Sequence, residues 1–139
     1  MLATLIAAAA LVAGAGPQPF GVWNTAGMEA QVRLTACGAS ICGYPVPQES
    51  QLTDLHNKDP GMRARPMRAV QILKLDVAAN GGWAGWVYSP RNGKMYRATL
   101  HMEGTEQLKL TGCLVGPFCQ SQVWTRSTDA STLSAGGPS

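Results

Sequence analysis

The side chains best suited to chemistry are grouped in one long polar connection near the middle of the chain. Asp54, His56 and Asp59 lie close together in sequence, and two carboxylates with an imidazole could ligate a hard or borderline cation. Alternatively, these side chains pair with Arg63 and Arg65 and hydrogen-bond the backbone of the loop, as polar groups in a packed loop must. The same arginines could instead hold an anionic head group through bidentate hydrogen bonds.

Residues suited to catalysis are few. His56 and His101 are the only side chains that titrate near neutrality without a perturbation, and alternation places His101 on the outward face of its strand. The sequence contains no Gly-x-Ser-x-Gly, no His-Glu-x-x-His and no phosphate-binding glycine loop. We therefore predict a protein that is not an enzyme and needs no cofactor. A metal-dependent enzyme built on Asp54, His56 and Asp59 is the weaker alternative.

The first fifteen residues have the composition of a secretory signal. A run of Leu, Ala, Ile and Val with one Thr over residues 2–12 is followed by Ala13-Gly14-Ala15, which has the small-x-small form of a cleavage site. The run is shorter than the ~20 residues that a membrane-spanning helix needs. We predict that residues 1–15 are removed and that the protein is periplasmic or secreted.

All four cysteines follow this signal, and an exported chain with an even number of cysteines usually forms disulfides. Three pairings are possible for Cys37, Cys42, Cys113 and Cys119. The local pairing, Cys37 with Cys42 and Cys113 with Cys119, fits best because each pair brackets a short turn that contains glycine. A tetrahedral zinc site is the alternative.

The elements that position these residues are β-strands. Two runs rich in aromatic and β-branched residues, 83–89 and 95–102, flank Asn92-Gly93, which is a strong hairpin signal. Period-two alternation and turn residues indicate eight short strands with little helix, at residues 20–25, 29–36, 41–46, 70–77, 83–89, 95–102, 108–111 and 120–126. Eight antiparallel up-and-down strands can close into a barrel, which removes exposed sheet edges.

A barrel of eight strands is about the smallest that can hold one small ligand. The aromatic residues of the hairpin and the last strand are ordinary core or the lining of an apolar cavity, and alternation does not distinguish these roles. If a cavity is present, we expect its lining and its mouth to include Trp86, Tyr88, Tyr96, Leu100, Trp124, Arg63 and Arg65.

Gly21-x-Trp23 near the start of the chain and Arg126 on the last strand would meet when the barrel closes. A guanidinium over an indole is a cation–π contact. The pair resembles the G-x-W motif and terminal-strand arginine of lipocalin-like (calycin) barrels, and the resemblance implies a structural role at one barrel end.

A wider pattern covers residues 20–126. It consists of Gly21-x-Trp23, Cys37-Gly38-x3-Cys42-Gly43, Asp54-x2-Asn57-x-Asp59-Pro60-x2-Arg63-x-Arg65-Pro66, the hairpin residues Trp83, Tyr88, Pro90, Gly93, Lys94 and Tyr96, and Gln122-x-Trp124-x-Arg126. Together these motifs resemble the DUF2147 family of small exported bacterial proteins. The resemblance implies a lipocalin-like barrel in the cell envelope and no established activity.

The domain organisation predicted from the sequence is a signal at residues 1–15, a barrel at 16–126 and a disordered tail at 127–139. The net charge of +3 is modest and not clustered on a helix, which gives no reason to expect nucleic acid as a partner. We expect the barrel to bind a small apolar or amphipathic molecule such as an acyl chain. The alternative is an envelope protein with a solid barrel that contacts a partner through residues 54–68.

Overall fold

The structure is a computed structural model that describes residues 17–28, 30–46, 52–115 and 118–128. The expected signal at residues 1–15 and most of the expected tail, residues 129–139, lie outside the described residues. The eight strands are β1 (Gly21–Asn24), β2 (Gln31–Cys37), β3 (Ser40–Pro45), β4 (Leu73–Val77), β5 (Trp83–Ser89), β6 (Lys94–Met102), β7 (Gln107–Val115) and β8 (Phe118–Arg126).

Each strand pairs antiparallel with the next one in sequence, and β8 pairs with β1, so the sheet closes into a barrel. The predicted eight-stranded up-and-down barrel is confirmed. Within the described residues, helix is limited to three short 3₁₀ turns that the sequence did not indicate, at Ala26–Met28, Pro60–Met62 and Met67–Ala69. The part of the chain that the structure describes contains no helix long and apolar enough to cross a membrane.

The connections between strands divide between two ends of the barrel, because successive strands run in opposite directions. The end that we call the Arg126 end carries the incoming segment and three short turns, at residues 17–20, 38–39, 78–82 and 103–106. The opposite end, which we call the loop end, carries the long connection, described at residues 46 and 52–72, and the hairpin turn between β5 and β6 at residues 90–93.

Aliphatic side chains fill the middle of the barrel. Directly opposed residues of neighbouring strands share a face of the sheet, and the inward-facing side chains in the middle of the barrel are almost completely inaccessible to solvent. Its most buried aliphatic members are Leu34, Ile41, Leu73, Leu75, Leu100 and Leu108. Burial of a leucine side chain contributes roughly 1.5–3 kcal/mol, so this layer is a major source of the barrel's stability.

Arg126 joins three parts of the chain at its end of the barrel. Its guanidinium carbon lies 4.4 Å from the ring centre of Trp23. Nε donates to the carbonyl of Thr105 at 2.9 Å. The two terminal nitrogens donate to the carbonyls of Phe20 at 2.8 Å and Gln18 at 2.9 Å. The arginine therefore holds the incoming segment and the β6–β7 turn against the first strand.

The seam between β1 and β8 is short. Only two residue pairs join these strands, Trp23 with Arg126 and Asn24 with Thr125. Gly21 is required beside this seam because its φ is +125° and a Cβ would lie 3.0 Å from a terminal nitrogen of Arg126. In the G-x-W pattern, the glycine is therefore needed for its backbone conformation, whereas the tryptophan is needed for its contact with Arg126.

Both predicted local disulfides are present. The Cα atoms of Cys37 and Cys42 are 5.9 Å apart, and those of Cys113 and Cys119 are 4.0 Å apart. Because all four sulfurs are bonded in pairs, the zinc alternative for the cysteines is wrong. Each bridge closes a short hairpin turn, so it fixes the register of two neighbouring strands.

We expect Arg126→Ala to lower the free energy of unfolding by about 2–3 kcal/mol, because three backbone carbonyls lose a charged donor and Trp23 loses its cation. Arg126→Lys, which keeps the charge but not the planar fork, should recover only part of this loss. Urea unfolding measures the difference, with Lys109→Ala on the exposed outer wall as the control. An Arg126→Ala variant as stable as the control would contradict this role.

Candidate functional site

Two side chains of β5 that were expected to line a cavity lie on the outer face of the barrel. Trp86 lies opposite Lys74 and Arg97, whereas its neighbour Val87 lies opposite Leu73 in the filled interior. Trp86 and Tyr88 therefore face outward, and the expectation that they line a cavity with Tyr96 and Leu100 is corrected. The sequence does not indicate which face of β5 points inward, because this strand is apolar on both faces.

Tyr88 is nevertheless buried, because residues 52–70 fold back over this part of the wall. Met67, Val70 and Ile72 are buried with it and belong to the same hydrophobic cluster. The close approach is visible at Gly93, where a Cβ would lie 2.1 Å from the carbonyl oxygen of His56. The long connection is therefore packed against the barrel and forms part of its core.

Asp54 holds this connection in place. It is 1% exposed, and the hydroxyl of Tyr88 donates to its Oδ1 at 2.8 Å. The side-chain amide of Asn57 donates to Oδ2 at 2.7 Å. Its backbone N–H donates to the carbonyl of Arg65 at 3.1 Å. Both carboxylate oxygens thus have donors, which a buried carboxylate needs to stay stable.

The environment of Tyr88 stabilises its protonated form. Burial raises the pKa of Tyr88 from 10.0 to about 12, and the hydrogen bond to Asp54 and the negative charge of that residue act in the same direction. The Asn57 side chain and the positive charge of Arg65 lower the pKa and only partly offset the rise. Tyr88 is therefore a neutral hydrogen-bond donor at physiological pH.

The two arginines predicted to lie near a ligand belong to the long connection, and their side chains have different surroundings. Nε of Arg63 donates to the backbone carbonyl of Asn57 at 2.8 Å. Nε of Arg65 is buried and has no hydrogen-bond partner within the described residues. The backbone carbonyl of Arg65 accepts from the N–H of Asp54 at 3.1 Å, so Arg65 belongs to the connection that covers the outer wall and does not line the inside of the barrel.

The predicted metal site is not assembled. The Oδ1 atom of Asp59 accepts from the backbone N–H of Gly61 at 2.9 Å and caps the 3₁₀ turn at Pro60–Met62. His56 is exposed, and Asp54 is occupied by Tyr88 and Asn57. Across the described ranges, no three His, Cys, Asp or Glu side chains form a group that could hold a metal ion. The expectation of a metal site at Asp54, His56 and Asp59 is therefore corrected.

The inner face of the barrel is less deeply buried toward the loop end. Leu100 and Trp124 are buried, whereas Tyr96, Val87 and Gly112 on the same inner face are only half-buried. The side-chain amide of Asn92 donates to the Tyr96 hydroxyl at 3.1 Å. Beside them, the inward positions of β8 are the exposed polar residues Gln120 and Gln122. These residues form an amphipathic rim, which we call the mouth.

A separate depression of about 180 Å³ lies on the wall formed by β5, β6 and β7. It is lined by Ala84, Gly85, Arg97, Ala98, Thr99, Thr111 and Cys113. Arg97 and Thr99 are exposed side chains of the outer face, so the depression is a feature of the outer surface and does not enter the barrel.

Several residues of these sites were not predicted from the sequence. Asn57 was noticed only as part of a family-like pattern, although an Asp-x-x-Asn spacing is suited to a side-chain hydrogen bond within a turn. The glutamines of the mouth gave no signal as binding residues. The register shift between Cys113 and Val115 in the β7–β8 pair was not predicted either.

The closed eight-stranded barrel, with Arg126 over Trp23 at one end, is a lipocalin-like fold. Protein HP1028 from Helicobacter pylori, described as belonging to the lipocalin family, has a similar structure, with a TM-score of 0.73. The similarity covers 83% of this chain and 86% of that protein at 17% sequence identity. Residues 21–126 match the family model DUF2147, uncharacterized protein conserved in bacteria, and the chain belongs to this family. No curated protein matches the chain.

The raised pKa of Tyr88 predicts a loss of stability at high pH. The folded protein keeps the phenol proton up to a pKa of about 12, above the unfolded value of 10.0, so this contribution is complete below pH 10 and is lost as the pH rises through about 12. Tyr88→Phe should lack this part of the decline. At neutral pH it should cost ~1–3 kcal/mol, because the Asp54 carboxylate loses a donor.

Urea unfolding of the wild type and Tyr88→Phe at several pH values between 10 and 12 measures this difference. Tyr44→Phe is the matched control, since Tyr44 lies on β3 and the Asp54 carboxylate accepts from Tyr88 and Asn57 instead. Parallel stability curves for the wild type and Tyr88→Phe over this range would show that burial and the hydrogen bond to Asp54 do not raise the pKa of Tyr88 in the folded protein.

Proposed function

We propose that this protein is an exported, non-enzymatic barrel that binds a small amphipathic molecule, such as a fatty acid, at its mouth. The apolar part of the molecule would contact Val87, Gly112 and the ring of Tyr96. Its polar part would face the glutamines of β8. The observation that carries the proposal is the change in exposure along the inner face, from a filled middle to a half-buried apolar surface at the loop end.

The filled middle limits what the barrel can hold. Six buried aliphatic side chains fill the interior next to the mouth. A closely packed interior leaves little room for a ligand. A bound molecule would therefore lie at the loop end of the barrel, with its polar end in solvent. This arrangement favours a chain with one polar end over a wholly apolar compound.

Two further features support export. Structural disulfides are typical of extracytoplasmic compartments, and this chain contains two. The expected secretory signal at residues 1–15 agrees with them. HP1028 is described as a lipocalin-family protein. We extend this similarity of fold to a ligand-binding role for the present chain.

The alternative is a cell-envelope protein whose barrel is filled by its own side chains and which contacts a partner protein through residues 54–68. The packing of the barrel's middle favours it. Under this alternative the mouth is only a rim of the sheet, and changing its inner surface would have no consequence for binding.

Gly112→Val tests the choice. A Cβ at this position would lie 3.7 Å from Cβ of Tyr96 and 3.9 Å from a methyl of Val87, so the backbone tolerates a side chain that fills the mouth. We expect this variant to bind a fluorescent fatty acid about tenfold more weakly or worse, a change of roughly 1.4 kcal/mol. Lys109→Val, on the outer face of the same strand, is the matched control.

Native mass spectrometry of protein purified from the periplasm, before and after organic extraction, supplies the second measurement. A bound mass that disappears on extraction supports the proposal. A bare mass, together with no binding of the fluorescent fatty acid by the wild type, would favour the solid barrel instead.

A further inference from the structure

Residues 52–70 and the adjacent segment 90–95 form one continuous surface at the loop end, which we call the cap surface. The two segments touch where Gly93 meets the backbone of His56. They are also joined through the hydrogen bond from Tyr88 to Asp54, because Tyr88 pairs with Met95 across the β5–β6 hairpin. The cap surface lies beside the mouth, since Tyr96 follows directly in β6.

The cap surface is strongly basic. It carries six Lys and Arg side chains and only two carboxylates, and its basic residues are Lys58, Arg63, Arg65, Arg68, Arg91 and Lys94. One of the two carboxylates, Asp54, is buried and hydrogen-bonded by Tyr88 and Asn57. The other, Asp59, accepts from the backbone of Gly61. All of the basic side chains except the half-buried Arg65 are exposed, and Asp59 is the one exposed carboxylate of these segments, so an excess of positive charge is presented to solvent here.

Large apolar side chains are exposed on the same surface. Leu52, Leu55 and Met95 are 46%, 65% and 52% exposed. Single exposed apolar residues are ordinary on a protein surface. Here, three of them are interspersed with basic residues on segments that are held rigidly against the barrel by the Asp54 hydrogen bonds.

We propose that the cap surface docks on an anionic lipid bilayer. Its Lys and Arg side chains would contact lipid phosphates, and Leu52, Leu55 and Met95 would enter the headgroup region. Charge complementarity selects this partner, because basic residues beside exposed apolar side chains fit a surface that is anionic outside and apolar just below. Docking in this orientation would bring the mouth to the membrane, although docking itself does not require the barrel to carry a ligand.

The Arg126 end differs in both respects. Its described connections, residues 17–20, 38–39, 78–82, 103–106 and 127–128, contain Glu103 and Glu106 and no Lys or Arg. The exposed Val77 at the end of β4 has no basic neighbour in the turn that follows it. This contrast supplies matched controls within the same molecule.

Vesicle co-sedimentation of the processed protein, its N-terminus determined by mass spectrometry, tests the proposal. We expect binding to vesicles that contain phosphatidylglycerol, little binding to phosphatidylcholine alone, and loss of binding at high salt. Lys58→Gln with Lys94→Gln should weaken binding about 25-fold, since each basic residue at an anionic surface contributes about a factor of five. Lys74→Gln with Lys109→Gln removes the same charge from the outer wall and should weaken it far less.

The apolar contribution has its own pair of variants. Leu55→Ser should weaken binding several-fold, whereas Val77→Ser at the opposite end should not. Both positions are exposed, so thermal unfolding should be unchanged and a folding defect is readily recognised. Gly112→Val should bind vesicles like the wild type, and this separates the docking proposal from ligand binding at the mouth.

Three outcomes would overturn the proposal. The first is a wild type that does not bind phosphatidylglycerol vesicles. The second is an equal loss of binding for the two pairs of lysine substitutions. The third is equally tight binding to soluble polyglutamate with no effect of Leu55→Ser, which would identify an acidic protein rather than a membrane as the partner.

Discussion

The contact of Arg126 with Trp23 is the interaction on which the barrel's closure depends. The first and last strands share only two residue pairs, which is little for a sheet that must close on itself. The guanidinium reinforces this seam because its donors reach three backbone carbonyls while its face lies on the indole. It acts together with the Trp23 indole N–H, which donates to the carbonyl of Pro19 at 2.8 Å, and with the backbone N–H of Ser127, which donates to the carbonyl of Val22 at 2.8 Å.

The fold was readable from the sequence because most strands bury one face only. In β6, Ala98 and Leu100 alternate with exposed residues such as Arg97 and Thr99, and this period of two determines both the strand and its inner face. The predicted limits of β5 agree with the structure. By contrast, β7 and β8 extend further toward the loop end than predicted, where the hairpin of Cys113 and Cys119 has no alternation to mark it.

The candidate site was less readable, because its geometry depends on how a long connection folds over the wall. Tyr88 looked like a cavity residue since it is aromatic and lies in a strand, but its burial comes from residues outside the barrel. Asp54 looked like a metal ligand since it lies near His56 and Asp59. Whether a carboxylate meets a cation or an N–H depends on tertiary contacts, here with Asn57, that sequence spacing does not contain.

The short seam also determines the order in which the barrel can form. Arg126 and its carbonyl partner Phe20 are 106 residues apart in sequence, so the ring of strands cannot close until nearly the whole domain has been synthesised. Contacts of such long range are slow to form. Until then, β8 and the first strand both remain open edges, and the chain has its greatest need of protection from association with other unfolded chains.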